Sequence, residues 1–409
     1  MRILLTLPRP LFPADTGGKI RSLNIFQRLA KRAEIHAVSF ADPAQDAPAI
    51  LRMRETFESY TPVFWREANR RSMAFYRDVL ANQFSSLPYF LAKFNQARFR
   101  ARIGELTGRK RFDLLFCDFL QSATPVATFD FRPKLLFQHN VESLLRKRKC
   151  EVEQRPLHKL VLRREWKKTE TIEATVCRSF DHVLTVSQED QATLRQAFGV
   201  DRTSILPTGV DTDYFQPTEH SEIPGRLVFV GSMDWDPNED GILWFLKKIY
   251  PQIRSEVPNV TLAIVGRNPS PALRTIGART TGVEITGWVA DVRPHLAKAE
   301  VVIVPLRVGG GTRIKIPEAM AMAKAVVSTR IGAEGLQFRS GRDICLADDP
   351  NDFVQTVIGL LRDASIRTRI GLRAREEVVR NCSWESVVDT LEQTLERLTF
   401  HTEQPAVIH

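Results

Sequence analysis

The residues best suited to chemistry in this chain lie together in the segment Val304–Met322. It reads as a buried strand, a run of glycines, two cationic side chains, and a helix with Glu318 in its first turn. Glycine amides and a helix N-terminus can cradle a diphosphate, to which arginine offers a bidentate fork and lysine a point charge. The residues expected to contact the phosphates, all between Gly309 and Glu318, are Gly310, Gly311, Thr312, Arg313 and Lys315. Glu318 could accept from ribose hydroxyls. The alternative is a flexible loop with a solvated basic pair and a glutamate favoured by the helix dipole.

Two further motifs follow predicted strands in the first half of the chain. Gly17 and Gly18 follow the first strand and open an amphipathic helix, where the backbone could approach an anion closely. Their spacing is not that of the GxGxxG fingerprint, and an ordinary turn is the alternative. His139 follows another strand and could donate a hydrogen bond to a sugar hydroxyl or a phosphate, or shuttle a proton. The alternative there is a packed histidine beside a helix-capping Asn140.

Three strand ends in the second half could also meet a ligand. Gly231 and Ser232 follow a strong apolar strand, and the glycine would permit close approach of a phosphate. Arg267 and Val289 each lie just beyond a strand and could line a nucleotide base through their backbone groups. A tight strand–helix turn is the alternative for the first of these sites.

The elements that must position these residues alternate between short apolar runs and longer helical segments, which predicts βαβ units and parallel sheets. The predicted strands are Arg2–Leu7, Glu34–Phe40, Pro62–Trp65, Asp113–Cys117, Lys134–Gln138, His182–Val186, Ser204–Leu206, Arg226–Gly231, Val260–Val265, Val283–Thr286, Glu300–Pro305, Ala325–Ser328 and Asp343–Leu346. The cycle restarts near the polar stretch Pro217–Gly225. The expected fold class is therefore α/β, with two Rossmann-like domains whose parallel sheets face each other across a cleft. The expected divisions are residues 1–216, 217–385, a C-terminal helix over 386–400 that packs back toward the first domain, and a tail over 401–409.

Composition narrows the class of protein. No apolar run approaches the ~20 residues of a membrane-spanning helix, and the first apolar run is too short for a signal peptide. The five cysteines are widely spaced and form no CxxC pair, which is typical of a reduced cytoplasmic protein and argues against a zinc site. We therefore expect a cytoplasmic protein that holds no metal.

The formal net charge of +10 is clustered in the first half. Leu145–Lys168 has ten Lys and Arg against three Glu, and Ala92–Arg111 has seven against one. Such clusters attract anionic surfaces. The apolar positions and Trp166 within Leu145–Lys168 indicate contact with an anionic membrane at its inner face, with a solvated helix as the alternative. No recognition motif for nucleic acid is present, so we expect no such partner.

Together these motifs resemble those of the retaining GT-B glycosyltransferases of family 4, over nearly the whole chain. The resemblance is carried by the first Gly-Gly loop, His139, Pro207-Thr208-Gly209-Val210-Asp211, the opening of the second half, Gly287-Trp288-Val289 with Asp291, and the glycine-rich segment into Glu318-Ala319-Met320-Ala321. It is closest to the sugar transferases associated with bacterial exopolysaccharide export.

The resemblance implies transfer of a sugar from a UDP- or GDP-sugar to a glycan or lipid-linked acceptor hydroxyl, with retention. The first domain would face the acceptor, and the second would hold the donor. Gly17 and Gly18 would face the donor phosphate and the acceptor, while His139 would contact the transferred sugar. Glu318 would hold the ribose hydroxyls, and backbone at Arg267 and Val289 would meet the base. A front-face route, with the leaving phosphate as base, is implied, and no cofactor beyond the donor.

Two positions depart from the family's pattern. The family often carries an arginine after the glycine at 231 and a lysine five or six residues on, where this chain has Ser232 and Asp236-Pro237. Its paired glutamates lie eight positions apart, and here Glu318 is present but position 310 is glycine. We hypothesise that Arg313 and Lys315 replace the missing cations, and that glycine amides take over near the phosphate or the sugar.

Three rival functions remain open. A nucleotide-sugar epimerase shares the two-domain fold and would release a free sugar isomer without an acceptor. A nicotinamide oxidoreductase would need GxGxxG after a strand, which is absent. A basic nucleic-acid-binding protein would explain the charge, although no recognition motif supports it.

Overall fold

A computed structural model of the chain describes residues 1–67, 72–218, 222–308 and 313–400. The chain forms two compact units. The first is Met1–Pro207 together with the C-terminal part from Val388, and the second is Thr208–Val387. The tail expected over 401–409 lies outside the described residues.

The first unit is a parallel sheet with helices between its strands. Its strands are β1 (Arg2–Leu7), β2 (Glu34–Ala41), β3 (Ser59–Phe64), β4 (Leu114–Asp118), β5 (Lys134–Phe137), β6 (His182–Thr185) and β7 (Thr203–Ile205). Its helices are α1 (Gly17–Leu29), α2 (Ala47–Thr56), α3 (Met73–Asn82), α4 (Tyr89–Ala92), α5 (Ala97–Arg109), α6 (Leu120–Ala123), α7 (Glu142–Val152), α8 (Pro156–Arg178) and α9 (Gln188–Phe198). The strand order is β3-β2-β1-β4-β5-β6-β7. The central strands β1, β4 and β5 consist almost wholly of buried residues, as expected of strands covered on both faces.

The second unit repeats this architecture. Its strands are β8 (Arg226–Val230), β9 (Thr261–Val265), β10 (Val283–Gly287), β11 (Val301–Val304), β12 (Ala325–Ser328) and β13 (Cys345–Leu346), in the order β10-β9-β8-β11-β12-β13. Its helices are α10 (Asp236–Trp244), α11 (Tyr250–Glu256), α12 (Pro271–Arg279), α13 (Arg293–Lys298), α14 (Lys315–Ala321), α15 (Pro350–Arg362) and α16 (Ala364–Asn381), with a π-helical turn at Phe245–Ile249. A final helix, α17 (Trp384–Phe400), begins in this unit and belongs to the first unit from Val388.

The structure divides the chain earlier than the boundary predicted at 216/217. The reason is that Val210, just after the last strand of the first unit, belongs to the second. Its amide donates to Cys382 O at 2.7 Å, and it forms a parallel bridge with Ser383. The predicted boundary rested on the polar composition near Pro217, which does not indicate the pairing between Val210 and Ser383.

Within the described ranges, no helix is long and apolar enough to cross a bilayer.

Candidate functional site

The second unit places a lysine over the backbone that leaves β8. In both sheets, the strand order reverses beside the first strand, here between β8 and β11, and ligands of open α/β sheets bind beyond the carboxyl ends of the strands at such a point. Lys315, the first residue of α14, donates from Nζ to Asn238 Oδ1 at 2.6 Å. Asn238 in turn donates from Nδ2 to Ser232 O at 2.7 Å. The loop after β8 and the first turns of α10 and α14 are thereby joined at one point.

Gly231 is the residue that makes room for this lysine. A Cβ at this position would lie 2.7 Å from Lys315 Nζ and 2.7 Å from Asn238 Nδ2. Both atoms are held by the hydrogen bonds just described, so any side chain at Gly231 would displace them. The glycine expected to admit a phosphate also admits an ammonium group.

Lys315 and Glu318, both in α14, each affect the pKa of the other. Burial, aided by the charge of Arg313 and opposed by Glu318, lowers the pKa of Lys315 to about 7. Burial raises the pKa of Glu318 to about 7, opposed by Lys315. Both side chains therefore titrate near neutrality, which is typical of groups at functional sites and also of structural ion pairs.

A second cation reaches Ser232 from the end of β9. Arg267 donates from Nε to Ser232 Oγ at 2.9 Å and lies 3.7 Å from the carboxylate of Asp234. Asp234 also accepts from Asn268 Nδ2 at 3.0 Å and from the Ser232 hydroxyl. These two hydrogen bonds, that of Ser232 first, lower the pKa of Asp234.

The remaining residues expected at the donor site have different surroundings. The side chain of Arg313 is 4% exposed and pairs with Glu334 at 3.4 Å. Val289 is half-buried beyond β10, next to Trp288, which is 73% exposed. The other residues expected to contact the phosphates, Gly310, Gly311 and Thr312, fall outside the described residues. Sequence reasoning assigned no ligand role to Asp234 or to the side chain of Asn238.

In the first unit, His139 follows β5 and is held by a buried polar cluster. Its Nε2 lies 2.7 Å from Asp118 Oδ1, and its Nδ1 lies 3.4 Å from Arg21 Nη1. Ser22 Oγ donates to the second oxygen of Asp118 at 2.7 Å. Because a guanidinium can only donate, Nδ1 accepts and Nε2 carries the proton. Burial, aided by Arg21 and opposed by Asp118, lowers the pKa of His139, which favours the neutral ring.

The ring of His139 is also covered on its faces. Phe119 stacks on it with ring centroids 3.8 Å apart, and Phe137 lies at 4.2 Å. A Cβ at Gly18 would lie 2.8 Å from Phe119 Cζ, so this glycine leaves space for the stacked ring. Gly17 begins α1, as its position after the first strand predicted. Both nitrogens are bonded within the protein and the side chain is almost fully buried, which is the packed arrangement given above as the alternative for His139.

Asp118 and Arg21 were not identified from sequence, although Asp118 directly follows the strand predicted at Asp113–Cys117. In the structure it ends β4, the strand beside β5, and is aligned with Phe137, two residues before His139. The described part of the chain contains no group of three or more His, Cys, Asp or Glu side chains that could hold a metal ion.

Comparison with known proteins gives two family matches that together span most of the chain. The model described as Glycosyltransferase Family 4 matches residues 17–214, and that described as Glycosyl transferases group 1 matches residues 224–363. The second match covers every strand of the second sheet, and the first covers the strands of the first sheet from β2 to β7.

Individual relatives agree with these matches. A protein from the cps region of Klebsiella pneumoniae, itself uncharacterized, is 22% identical over 93% of this chain and 96% of its own length. The GDP-mannose-dependent α-(1-6)-phosphatidylinositol monomannoside mannosyltransferase of Mycolicibacterium smegmatis is 28% identical over 50% of this chain and 59% of its own. The solved structure of Anabaena HepE in complex with UDP superposes with a TM-score of 0.69, at 15% identity, over 97% of this chain and all of that one.

Proposed function

We propose that this chain transfers a sugar from a UDP- or GDP-sugar to an acceptor hydroxyl with retention of anomeric configuration. The chain belongs to glycosyltransferase family 4, and its two Rossmann-like sheets are those of the GT-B fold. UDP is bound by the structural relative HepE, and GDP-mannose is the donor of the mycobacterial relative. Retention is what the family resemblance implies.

The observation that carries the proposal is the position of Lys315. Its ammonium stands at the strand-order reversal of the second sheet, bonded through Asn238 to the backbone of Ser232. A cation withdrawn from water is disfavoured unless negative charge compensates it. The diphosphate of a donor would supply that charge and would be bound strongly for the same reason.

Lys315 therefore supplies one of the two cations that the family often carries after β8. Its Nζ is bonded to Asn238, one residue beyond Asp236-Pro237, the place where the family often carries a lysine. Arg313 contributes positive potential, as its effect on the pKa of Lys315 indicates, while its side chain pairs with Glu334. We assign the direct phosphate contact to Lys315.

The other donor contacts stay as the sequence predicts them. We propose that the amides of Gly310, Gly311 and Thr312 bind the phosphates and that Glu318 accepts from the ribose. The backbone at Val289 would meet the base. Burial raises the pKa of Glu318 to about 7, and two hydrogen bonds from the ribose would favour its deprotonated form, so donor binding would oppose this rise.

In this reaction negative charge develops on the leaving diphosphate as its bond to the sugar breaks. Preorganised donors stabilise that charge, and the loss of one such donor typically lowers turnover about 100- to 1,000-fold. We assign no protein nucleophile; the leaving phosphate takes the acceptor proton in a front-face route. As the family resemblance implies, Gly17 and Gly18 would face the donor phosphate and the acceptor, and His139 would contact the transferred sugar.

The acceptor is proposed to be a glycan or lipid-linked glycan of a bacterial surface polysaccharide, as the cps-region relative suggests. A lipid-linked acceptor would bring the chain to the inner face of the cytoplasmic membrane, through Leu145–Lys168. In this basic stretch Leu157 and Leu160 are 83% and 66% exposed. Exposed leucines among cations are the side chains that an anionic bilayer surface would bind.

The test combines the protein with UDP-glucose, UDP-galactose, UDP-N-acetylglucosamine and GDP-mannose, each with an octyl glycoside acceptor. We expect one donor to give a new glycoside, whose anomeric proton coupling in NMR shows the donor's configuration. An inverted anomer would contradict retention, and a free isomerised sugar without glycoside would favour the epimerase. Failure to bind any of the donors in calorimetry would contradict the proposal.

A further inference from the structure

Ser232 is approached by cations from two sides. Lys315 reaches its carbonyl through Asn238, and Arg267 donates from Nε to its hydroxyl at 2.9 Å. The two cations come from different loops, after β9 and β11, and converge on the residue that follows Gly231. A diphosphate carries charge on two phosphoryl groups, so two cations at one strand end match its chemistry.

The backbone carbonyl of Arg267, which was expected to meet the base, is already engaged, so the exposed side chain is the group better placed to meet a ligand. Its carbonyl accepts from the amide of Met233 at 2.9 Å. The guanidinium uses Nε toward Ser232, and 57% of the side chain is exposed. The planar fork is therefore fixed at one edge and open at the other, the arrangement that suits bidentate binding of a phosphoryl group.

Asp234 stands beside this guanidinium as an anion of the protein itself. Its Oδ2 lies 3.7 Å from Arg267 Nε and accepts from Asn268 at 3.0 Å, while its other oxygen accepts from Ser232. The carboxylate is itself 44% exposed, so water can replace the protein's cation at little cost.

We propose that the Arg267 side chain is the second cation for the donor's diphosphate, and that Asp234 is an internal counter-ion which the diphosphate displaces. This inference rests on the proposed function and deepens it. The arginine expected after the glycine at 231 is thus supplied by a neighbouring strand end, with Ser232 as its hydrogen-bond acceptor.

The counter-ion has a consequence for turnover. A carboxylate near Arg267 competes with bound nucleoside diphosphate, so it weakens product binding and favours release. Removal of the negative charge of Asp234 should therefore tighten nucleoside diphosphate binding, whereas removal of Arg267 should weaken it. A merely structural ion pair would weaken binding in both variants or in neither.

The experiment measures binding of UDP, GDP and UMP by calorimetry at fixed ionic strength to the full chain and to Arg267→Ala and Asp234→Asn. We expect Arg267→Ala to weaken diphosphate binding about 10-fold or more and UMP binding less, from loss of a charge-assisted contact. Asp234→Asn should tighten diphosphate binding about 3- to 5-fold, as removal of a solvent-exposed competing charge allows. Ser232→Arg added to Arg267→Ala should recover part of the loss.

A matched pair of controls lies away from this strand edge. Arg362 and Glu256 form an ion pair at 3.1 Å with similar exposure, at the C-terminal ends of α15 and α11. Arg362→Ala and Glu256→Gln should leave nucleotide affinity unchanged, and thermal unfolding should confirm that all variants fold.

The outcomes separate this inference from the proposed function. Unchanged UDP and GDP affinity in Arg267→Ala, or weaker binding in Asp234→Asn, overturns the inference while the donor site stands. Equal losses of UMP and UDP affinity in Arg267→Ala would move the contact to the nucleoside and also overturn it. If the unaltered chain binds neither UDP nor GDP, the proposed function fails and this inference fails with it.

Discussion

Replacement of Lys315 by methionine should nearly abolish sugar transfer without unfolding the protein. Methionine keeps an apolar stem near Phe229, over whose ring the ammonium lies at 4.3 Å, but removes the charge. Loss of one preorganised donor to a leaving oxyanion raises the barrier by ~3 kcal/mol, which is a decrease of about 100-fold in kcat. Stability should hold or rise, because the lowered pKa of Lys315 shows that its charged form is disfavoured in the folded protein without donor.

The assay is steady-state release of nucleoside diphosphate, with the melting temperature measured in parallel. Lys247→Met, which removes an exposed lysine of the same unit, serves as the matched control and should keep wild-type kcat. Asn238→Lys in the Lys315→Met background should recover at least about 10-fold, since Asn238 Oδ1 is 2.6 Å from the lost ammonium. A kcat for Lys315→Met within about threefold of wild type would refute the reasoning.

Three further predictions concern protonation and packing. Donor binding above pH 8 should take up about one proton, and donor affinity should fall as pH rises, because the diphosphate raises the pKa of Lys315 from about 7. Calorimetry in buffers of different ionisation enthalpy measures this proton uptake, which Lys315→Met should abolish. Burial raises the pKa of Glu173 to about 7, so the folded state binds more protons than the unfolded state between pH 4.5 and 7. Deprotonation of Glu173 therefore lowers stability as pH rises through that window. Glu173→Gln should reduce the fall in melting temperature with pH, and an unchanged fall would contradict the assignment. Gly18→Ala should destabilise the fold by ~1–3 kcal/mol in urea unfolding because its Cβ would lie 2.8 Å from the stacked ring of Phe119, whereas Gly108→Ala, with open space around it, should not destabilise it.

The fold was largely predictable because apolar runs mark buried parallel strands. Arg2–Leu7 and Ala325–Ser328 are strands with the predicted bounds, and each other predicted strand has a counterpart displaced by a few residues. The start of β3 was placed at Pro62, but the strand begins at Ser59. β3 lies at the sheet edge, where a proline without an amide proton costs no ladder bond, so proline there does not mark a strand end.

The candidate site was predictable only as a set of strand ends. Sequence could not separate Lys315 from Arg313, because the partner that engages the arginine, Glu334, lies in a later loop. The hydrogen bonds from Arg267 to Ser232 and from His139 to Asp118 likewise join neighbouring strand ends, and they follow from strand order. Side-chain partners of this kind require the sheet topology first, which residue types and spacing along the chain do not specify.

The most direct test of the donor site is a crystal structure of the chain with UDP or GDP bound. We expect a diphosphate oxygen within hydrogen-bond distance of Lys315 Nζ, about 3 Å, beside the backbone of Gly231 and Ser232. A diphosphate bound elsewhere, with Lys315 still bonded to Asn238 and remote from any phosphate oxygen, would contradict it.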